Sequence, residues 1–167
     1  LIRATAGAGH VAAFPLRPGA GSLGILTPEI RDPYLINGKD LLGHKWQALP
    51  ATLFLEYARN GNRSRYQNVR YARRYNLRDL VLAECIEGEG RFLDDIVNGI
   101  WATCEESYWG VPAHLNLQKA GSGLPDVEEP TVDLFAAETV ALLAWTSYLL
   151  GDTLDEISPL VLPRIRY

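Results

Sequence analysis

The feature that most constrains the fold is the helical spacing of apolar residues in the middle of the chain. Between Phe92 and Glu106, apolar side chains recur at i, i+4, i+7 and i+11, which places them on one face of an α-helix. These residues are Leu93, Val97, Ile100 and Cys104. A similar apolar stripe precedes them, at Leu77, Leu80, Val81 and Cys85. The helix-stopping sequences "NGN" and "EGEG" separate the segments. The pattern therefore predicts antiparallel helical hairpins and an all-α fold.

The segment 1–44 is predicted to be irregular. It is rich in Gly, Pro and Ala and has no sustained period. Within it, "TPEIRDPYLINGKD" is expected to form turns with at most one short helical piece. Asn37-Gly38 is a possible hairpin turn, although no alternating strands flank it.

Residues 45–167 are predicted to form the helical domain. Ser64 is the expected cap of an arginine-rich helix. After Asp133, "LFAAETVALLAWTSYLLG" is apolar nearly all round, so we expect this helix to be buried on most sides and to end at Gly151. Asp152 or Thr153 would cap a last helical piece. Helices of this number and spacing form either an ordinary bundle or an arc of a toroid, and periodicity does not decide between them.

Composition narrows the function classes. The chain has 167 residues, enough for one domain with a core, and its net charge of -4 does not suggest a nucleic-acid partner. No apolar run approaches the roughly 20 residues of a membrane span, so no membrane partner is expected. The chain contains no Met, which indicates a processed or excised chain and is compatible with a signal peptide already removed.

Neither a metal nor a cofactor is predicted. The three histidines, His10, His44 and His114, lie far apart, and no clustered Cys/His spacing or phosphate-binding glycine loop is present. Cys85 and Cys104 are expected to be free buried thiols. On successive helices they would differ in height by roughly 15 Å, too far for a disulfide.

The stretch "SYWGVPAHLNLQKAGSG" is the candidate functional loop. It is an irregular connection of about 20 residues between helices, and such loops are often functional. Tyr108 and Trp109 offer flat faces that suit sugar rings, while His114 can carry a proton near neutral pH. Structural interpretations remain open: Trp109 as a plug of the core, His114 as a satisfied buried histidine, and Glu105 and Glu106 as a solvated helix end or as partners of arginines. The arginine run 63–78 is more typical of a solvated face than of an anion site.

Several blocks of the sequence resemble one family. The pieces "GNRSRY", "LVLAECIEGEGRFLDDIVNGIWATCEES", Trp109 with "PAH", and "DLFAAETVALLAW" are similar, in this order, to the helical domain of heparinase II/III-like polysaccharide lyases. The resemblance covers most of residues 46–167. It implies an incomplete (α/α) toroid of antiparallel helical hairpins, here as part of a longer multidomain protein. It also implies cleavage of acidic, uronate-containing polysaccharide by β-elimination.

The resemblance assigns roles to the loop and its surroundings. His114 and Asn116 are the implied catalytic positions, and substrate would be bound by Trp109, Tyr108, Glu105, Glu106 and Arg63. The family's catalytic tyrosine and second histidine would lie beyond residue 167, so the piece alone is expected to be inactive. The implied partner is an acidic polysaccharide or oligosaccharide, without nucleic acid or membrane, in a periplasmic or secreted protein.

Two rival functions remain. A six-hairpin glycoside hydrolase would need two carboxylates facing each other across a cleft. The available acids, Asp94, Asp95, Glu105 and Glu106, all fall on one predicted helix. A helical module that binds carbohydrate, or is purely structural, would need no chemistry.

Overall fold

The computed structural model describes Gly19, Gly21, Leu23 and residues 25–167. Its six α-helices are α1 (Pro28–Asp40), α2 (Ala51–Asn60), α3 (Ser64–Glu87), α4 (Leu93–Cys104), α5 (Leu134–Ile157) and α6 (Val161–Arg166). A 3-10 helix at Pro112–Leu117 lies between α4 and α5. The described part of the chain contains no strand, so the predicted all-α class is confirmed. The predicted irregularity of residues 1–18, and His10, lie outside the described residues.

Helix α1 corrects the prediction of turns in "TPEIRDPYLINGKD". It spans 13 residues and packs along α3, so this part of the segment 1–44 lies against the helical domain. Asn37-Gly38 is not a hairpin turn, because Gly38 is buried inside the helix. A Cβ at Gly38 would lie 2.4 Å from the Cβ of Ala83. The glycine therefore permits a close approach of two helices, and this tertiary contact stabilises a segment whose own sequence favours turns.

The turns between α2, α3 and α4 follow the predicted stops. Gly61 and Gly88 end their helices in the left-handed conformation, with φ of 78° and 71°. Ser64 makes no capping hydrogen bond, which corrects its prediction as the cap of α3. Instead, the side-chain oxygen of Asn62 accepts a hydrogen bond from the backbone N–H of Arg65 at 3.2 Å.

The core lies between α3, α4, α5 and α6. Its members are aliphatic and aromatic side chains, chiefly Leu77, Leu80, Val81, Phe92, Ile96, Ile100, Leu143, Leu150 and Leu154. The buried carboxylate of Glu84 fastens the α3–α4 turn, because it accepts hydrogen bonds from the backbone N–H groups of Gly90 and Phe92. Cys85 is buried and Cys104 partly buried, and both are free, as predicted.

Helix α5 differs from its prediction in three ways. Gly151 does not end it, because this glycine is buried within a helix that continues to Ile157. Neither Asp152 nor Thr153 caps a new helix, since both lie within α5. The helix is also not buried on most sides: one apolar face is exposed, with Trp145 59% accessible. By length and composition alone α5 could cross a membrane, but core helices of soluble proteins pass the same test and α5 packs on α3 and α6.

Candidate functional site

The candidate loop is ordered by one buried glutamine. Gln118 donates hydrogen bonds from Nε2 to the backbone oxygens of Asp126 and Glu129, both at 2.8 Å, and accepts one from the backbone N–H of Asp126. A buried amide that satisfies three backbone groups fixes the second half of the loop. The 3-10 helix fixes its first half. Side chains of the loop therefore have defined positions relative to the helices.

A buried ion network lies beneath the loop. Both oxygens of Glu106 accept hydrogen bonds from Arg74 at 2.5 Å, a bidentate pair. Arg73 places Nε 3.2 Å from Glu106 Oε1, within ion-pair distance but outside hydrogen-bond geometry. Its Nη atoms donate to the backbone oxygens of Gln47 and Ala102. Glu106 is thus an arginine partner, one of the two alternatives left open by the sequence.

Arg70 is buried next to this network, and its hydrogen-bond partners among the described residues are neutral oxygens. It is 1% exposed. Its Nε and Nη2 donate to the backbone oxygen of Trp109, and Nη2 also contacts Phe135 O at 2.5 Å and Thr139 Oγ1 at 2.9 Å. Burial lowers the pKa of Arg70, and the positive charge of Arg74 lowers it further.

The interpretation of the arginine run as a solvated face is therefore wrong for its central members. Arg70, Arg73 and Arg74 are buried, whereas Arg65 and Arg78 are exposed. Arg70 and Arg73 are held by backbone oxygens distant in the sequence, and Arg74 is held by Glu106 and the hydroxyl of Thr139. These contacts offset the cost of removing the three charges from water. Arg73 and Arg74 share the carboxylate of Glu106, whereas Arg70 is held by neutral oxygens.

An aromatic cleft of about 380 Å³ opens beside Glu106. We define it by the side chains Trp46, Phe54, Tyr66, Tyr108, Glu105 and Arg73, which line it. Tyr108, Glu105 and Glu106 are predicted site residues that the structure brings together here. Burial raises the pKa of Tyr66 to about 12, and the negative charge of Glu106 adds to the rise. Sequence reasoning missed Trp46 and Tyr66, since they precede the loop by at least 40 residues.

Trp109 does not line this cleft. Its indole Nε1 donates to the backbone oxygen of Thr103 at 2.9 Å, and its ring packs against the hydrophobic core. This is the core plug that the sequence left open as an alternative. Its backbone oxygen has a further role, because it accepts the hydrogen bonds of Arg70.

His114 forms a pair with Asp133 at the start of α5. Its Nδ1 lies 2.9 Å from Asp133 Oδ2, and the His114 side chain is 38% exposed. The other oxygen of Asp133 accepts a hydrogen bond from the backbone N–H of Ala136 at 2.7 Å, so Asp133 is also the N-cap of α5. The His114 ring lies 5.2 Å from that of Phe135.

Asn116 and Arg63 complete the predicted set. Asn116 is exposed on the 3-10 helix, two positions after His114, and Arg63 is exposed just before α3. Neither Asn116, Arg63 nor His114 is among the described residues that line the aromatic cleft. The structure therefore separates the predicted residues: some line the cleft, Trp109 packs on the core, His114 lies at the start of α5, and Asn116 and Arg63 are exposed elsewhere.

A second depression, which we call the α3–α5 groove, has a volume of about 190 Å³. It is lined by Arg70, Tyr71, Arg74, Tyr75, Arg78 and Glu138, with Leu142 at one side. The rings of Tyr71 and Tyr75 are stacked, with centroids 6.1 Å apart. Tyr71 also contacts Phe135, whose ring lies beside His114, so aromatic rings connect the groove to the His114–Asp133 pair. The sequence analysis did not predict this surface; the i, i+4 spacing of the two tyrosines on α3 is the local pattern that indicates it.

Comparison with protein-family models gives no match for this chain, and comparison with curated proteins gives none either. Among the described residues, no group of three or more His, Cys, Asp or Glu side chains is placed to hold a metal ion.

Proposed function

We propose that the chain is the helical domain of a heparinase II/III-like polysaccharide lyase, a periplasmic or secreted protein that cleaves acidic polysaccharide by β-elimination. In this proposal the helices form an arc of an incomplete (α/α) toroid, and His114 is the proton acceptor. The proposal is supported by the blocks of sequence resemblance and, above all, by the His114–Asp133 pair.

The pair has the chemistry of an oriented base. Because a carboxylate accepts hydrogen bonds, the Nδ1 of His114 carries the proton that faces Asp133, and this leaves the lone pair on Nε2. Asp133 is itself fixed as the N-cap of α5, so the imidazole is held by a rigid partner. A general base positioned in this way contributes about 10²–10⁴-fold to a reaction rate.

In β-elimination, a base removes the proton at C5 of the uronate, next to the carboxylate. The C4–O bond to the next sugar breaks, a C4=C5 double bond forms, and the leaving oxygen takes up a proton. His114 Nε2 would accept the C5 proton. Asn116, exposed two residues away, is the proposed partner of the uronate carboxylate, and a tyrosine would protonate the leaving oxygen.

The experiment compares variants of the full-length protein on a uronate polymer, followed by the ultraviolet absorbance of the new double bond. His114→Ala should lower kcat by at least about 100-fold. Asp133→Asn, which keeps a capping oxygen but removes the charge, should cause a smaller loss. His44→Ala is the matched control, since it removes an imidazole that also has one hydrogen-bond partner, Asn76. Equal rates for wild type and His114→Ala would remove His114 from the mechanism.

The second candidate function is binding of carbohydrate without chemistry, and the aromatic cleft favours it. The rings of Trp46 and Tyr108 can stack on sugars, and the cleft contains no part of the His114–Asp133 pair. Calorimetry with acidic oligosaccharides would then show binding while the absorbance stays constant. The glycoside hydrolase alternative is less well supported, since the bidentate pair with Arg74 already occupies Glu106. Products with hydrated rather than unsaturated ends would favour it.

A further inference from the structure

We propose that the α3–α5 groove is an oxyanion-binding subsite that takes the carboxylate or sulfate group of an acidic saccharide, with Arg70 as its buried anchor. The identity of the ligand as a saccharide rests on the proposed function. The oxyanion chemistry rests on the groove alone.

The first observation is an excess of buried positive charge. Arg70, Arg73 and Arg74 are each at least 94% buried, and Glu106 forms ion pairs with Arg73 and Arg74. Burying a charge without a partner is costly, and proteins normally pair such groups. Arg70 has only neutral oxygens as partners among the described residues. An anion in contact with Arg70 would compensate the charge that its partners among the described residues leave uncompensated.

The second observation is an unused donor on Arg70. Its Nε and Nη2 make all of its hydrogen bonds to described residues, so Nη1 makes none of them. Arg70 is 1% exposed, and it lines the α3–α5 groove. We infer that Nη1 faces this groove. A guanidinium N–H in that position is a suitable donor to a carboxylate or sulfate oxygen.

The third observation is the aromatic wall of the groove. Tyr71 and Tyr75 are stacked, and Tyr75 is 52% exposed. The guanidinium of Arg78 lies over the Tyr75 ring, 5.0 Å from its centroid. A sugar ring could pack against the exposed part of Tyr75 while its anionic substituent points towards Arg70. The wall leads through Phe135 to His114, so one acidic chain could occupy the groove and reach the proposed base.

The charges at the rim set the strength of the site. The guanidinium of Arg78 is 2.7 Å from Asp79, so this pair contributes little net charge. Glu138 also lines the groove and opposes an incoming anion. Because Glu138 is exposed, its removal should change binding without disturbing the fold. Arg70 itself is a poor test position, since its substitution would confuse folding with binding.

The experiment uses three methyl glycosides that lack a leaving group at C4 and therefore cannot be cleaved. They are methyl glucuronide, methyl glucoside 6-sulfate and neutral methyl glucoside, each titrated by NMR into the intact protein. The two anionic glycosides should bind at least about tenfold more tightly than the neutral one. Comparing them distinguishes a preference for carboxylate from one for sulfate.

Substitutions at two exposed positions, Glu138 and Tyr75, test the proposal. Glu138→Gln should tighten both anionic glycosides by about threefold and leave the neutral one unchanged. Tyr75→Ala should weaken all of them by about fivefold. Glu128→Gln, which removes an exposed acid in the loop, is the matched control and should change nothing. The subsite proposal is wrong if Glu138→Gln and wild type bind the anionic glycosides with equal affinity. It is also wrong if the neutral and anionic glycosides bind equally tightly.

These results separate the two proposals. If the full-length protein carries out elimination but Glu138→Gln does not change its affinity for anions, the groove proposal is refuted and the lyase proposal is retained. If Glu138→Gln changes anion binding but the protein has no elimination activity, the lyase proposal is refuted and the groove proposal is retained.

Discussion

The carboxylate of Glu106 is the centre of the buried ion network, and Glu106→Gln is the sharpest test of it. The substitution keeps the shape and one acceptor oxygen but removes the charge that faces Arg73 and Arg74. Removal of one partner from a buried ion pair costs about 3–5 kcal/mol, because the remaining charge is left uncompensated. The Glu106 side chain is 6% exposed, so solvent offers little compensation. Since glutamine still accepts one hydrogen bond, we expect a loss near the lower end, about 3 kcal/mol.

This loss is large beside the total stability of a domain, which is about 5–15 kcal/mol. Urea unfolding followed by circular dichroism at neutral pH measures it directly. Thermal unfolding should show a decrease in Tm of about 6–12 °C. The adjacent Glu105 is exposed, so Glu105→Gln is a control that should stay within about 0.5 kcal/mol of wild type. A loss below about 1 kcal/mol for Glu106→Gln would refute the view that this carboxylate is needed to compensate buried arginines.

Two further predictions concern packing and titration. Gly38→Ala should destabilise the protein by about 2 kcal/mol in urea unfolding, because the new Cβ meets Ala83, although alanine has the better helix propensity. Lys39→Ala, at an exposed position, is the control and should have little effect. Equal losses of stability for the two variants would contradict the close-packing argument. Burial raises the pKa of the Cys85 thiol from 9.0 to about 11, so the thiol should resist alkylation at pH 8 until the protein unfolds. Because the folded state holds the thiol proton more tightly, the contribution of Cys85 to stability is complete below pH 9 and is lost as the pH rises towards 11. Urea unfolding at several pH values measures this loss. Rapid alkylation of Cys85 in the native protein would contradict its burial.

The elements that sequence predicted well are those whose signals are local. The α3–α4 hairpin has an apolar stripe on each helix and a glycine at Gly88 that ends α3 in the left-handed conformation. Both features act within a few residues, so a single sequence contains them. Helix α1 was missed because its stabilising contact is between Gly38 and Ala83, 45 residues apart in the sequence, and no local pattern encodes such a contact.

The candidate site was predicted in part for the same reason. The sequence predicted the long irregular connection between α4 and α5, because its length and composition are local properties. It did not show that Tyr108 and Trp109, adjacent in the chain, point to a cleft and to the core respectively. Nor did it show that His114 meets Asp133, which follows 19 residues later as the N-cap of α5. These pairings depend on how the loop folds back, and the spacing of residues does not determine that path.

The arginine network connects stability with the proposed binding of anions. A core that served stability alone would do as well with apolar side chains at these positions. Here Glu106 and Arg73 line the aromatic cleft, while Arg70 and Arg74 line the α3–α5 groove, so one network reaches both openings. Glu106 stabilises the fold by compensating Arg74, and the same negative charge reduces the attraction of an anion in the groove. Stability and anion affinity should therefore change in opposite directions at this position: the fraction of Glu106→Gln that remains folded should bind anionic glycosides more tightly than wild type.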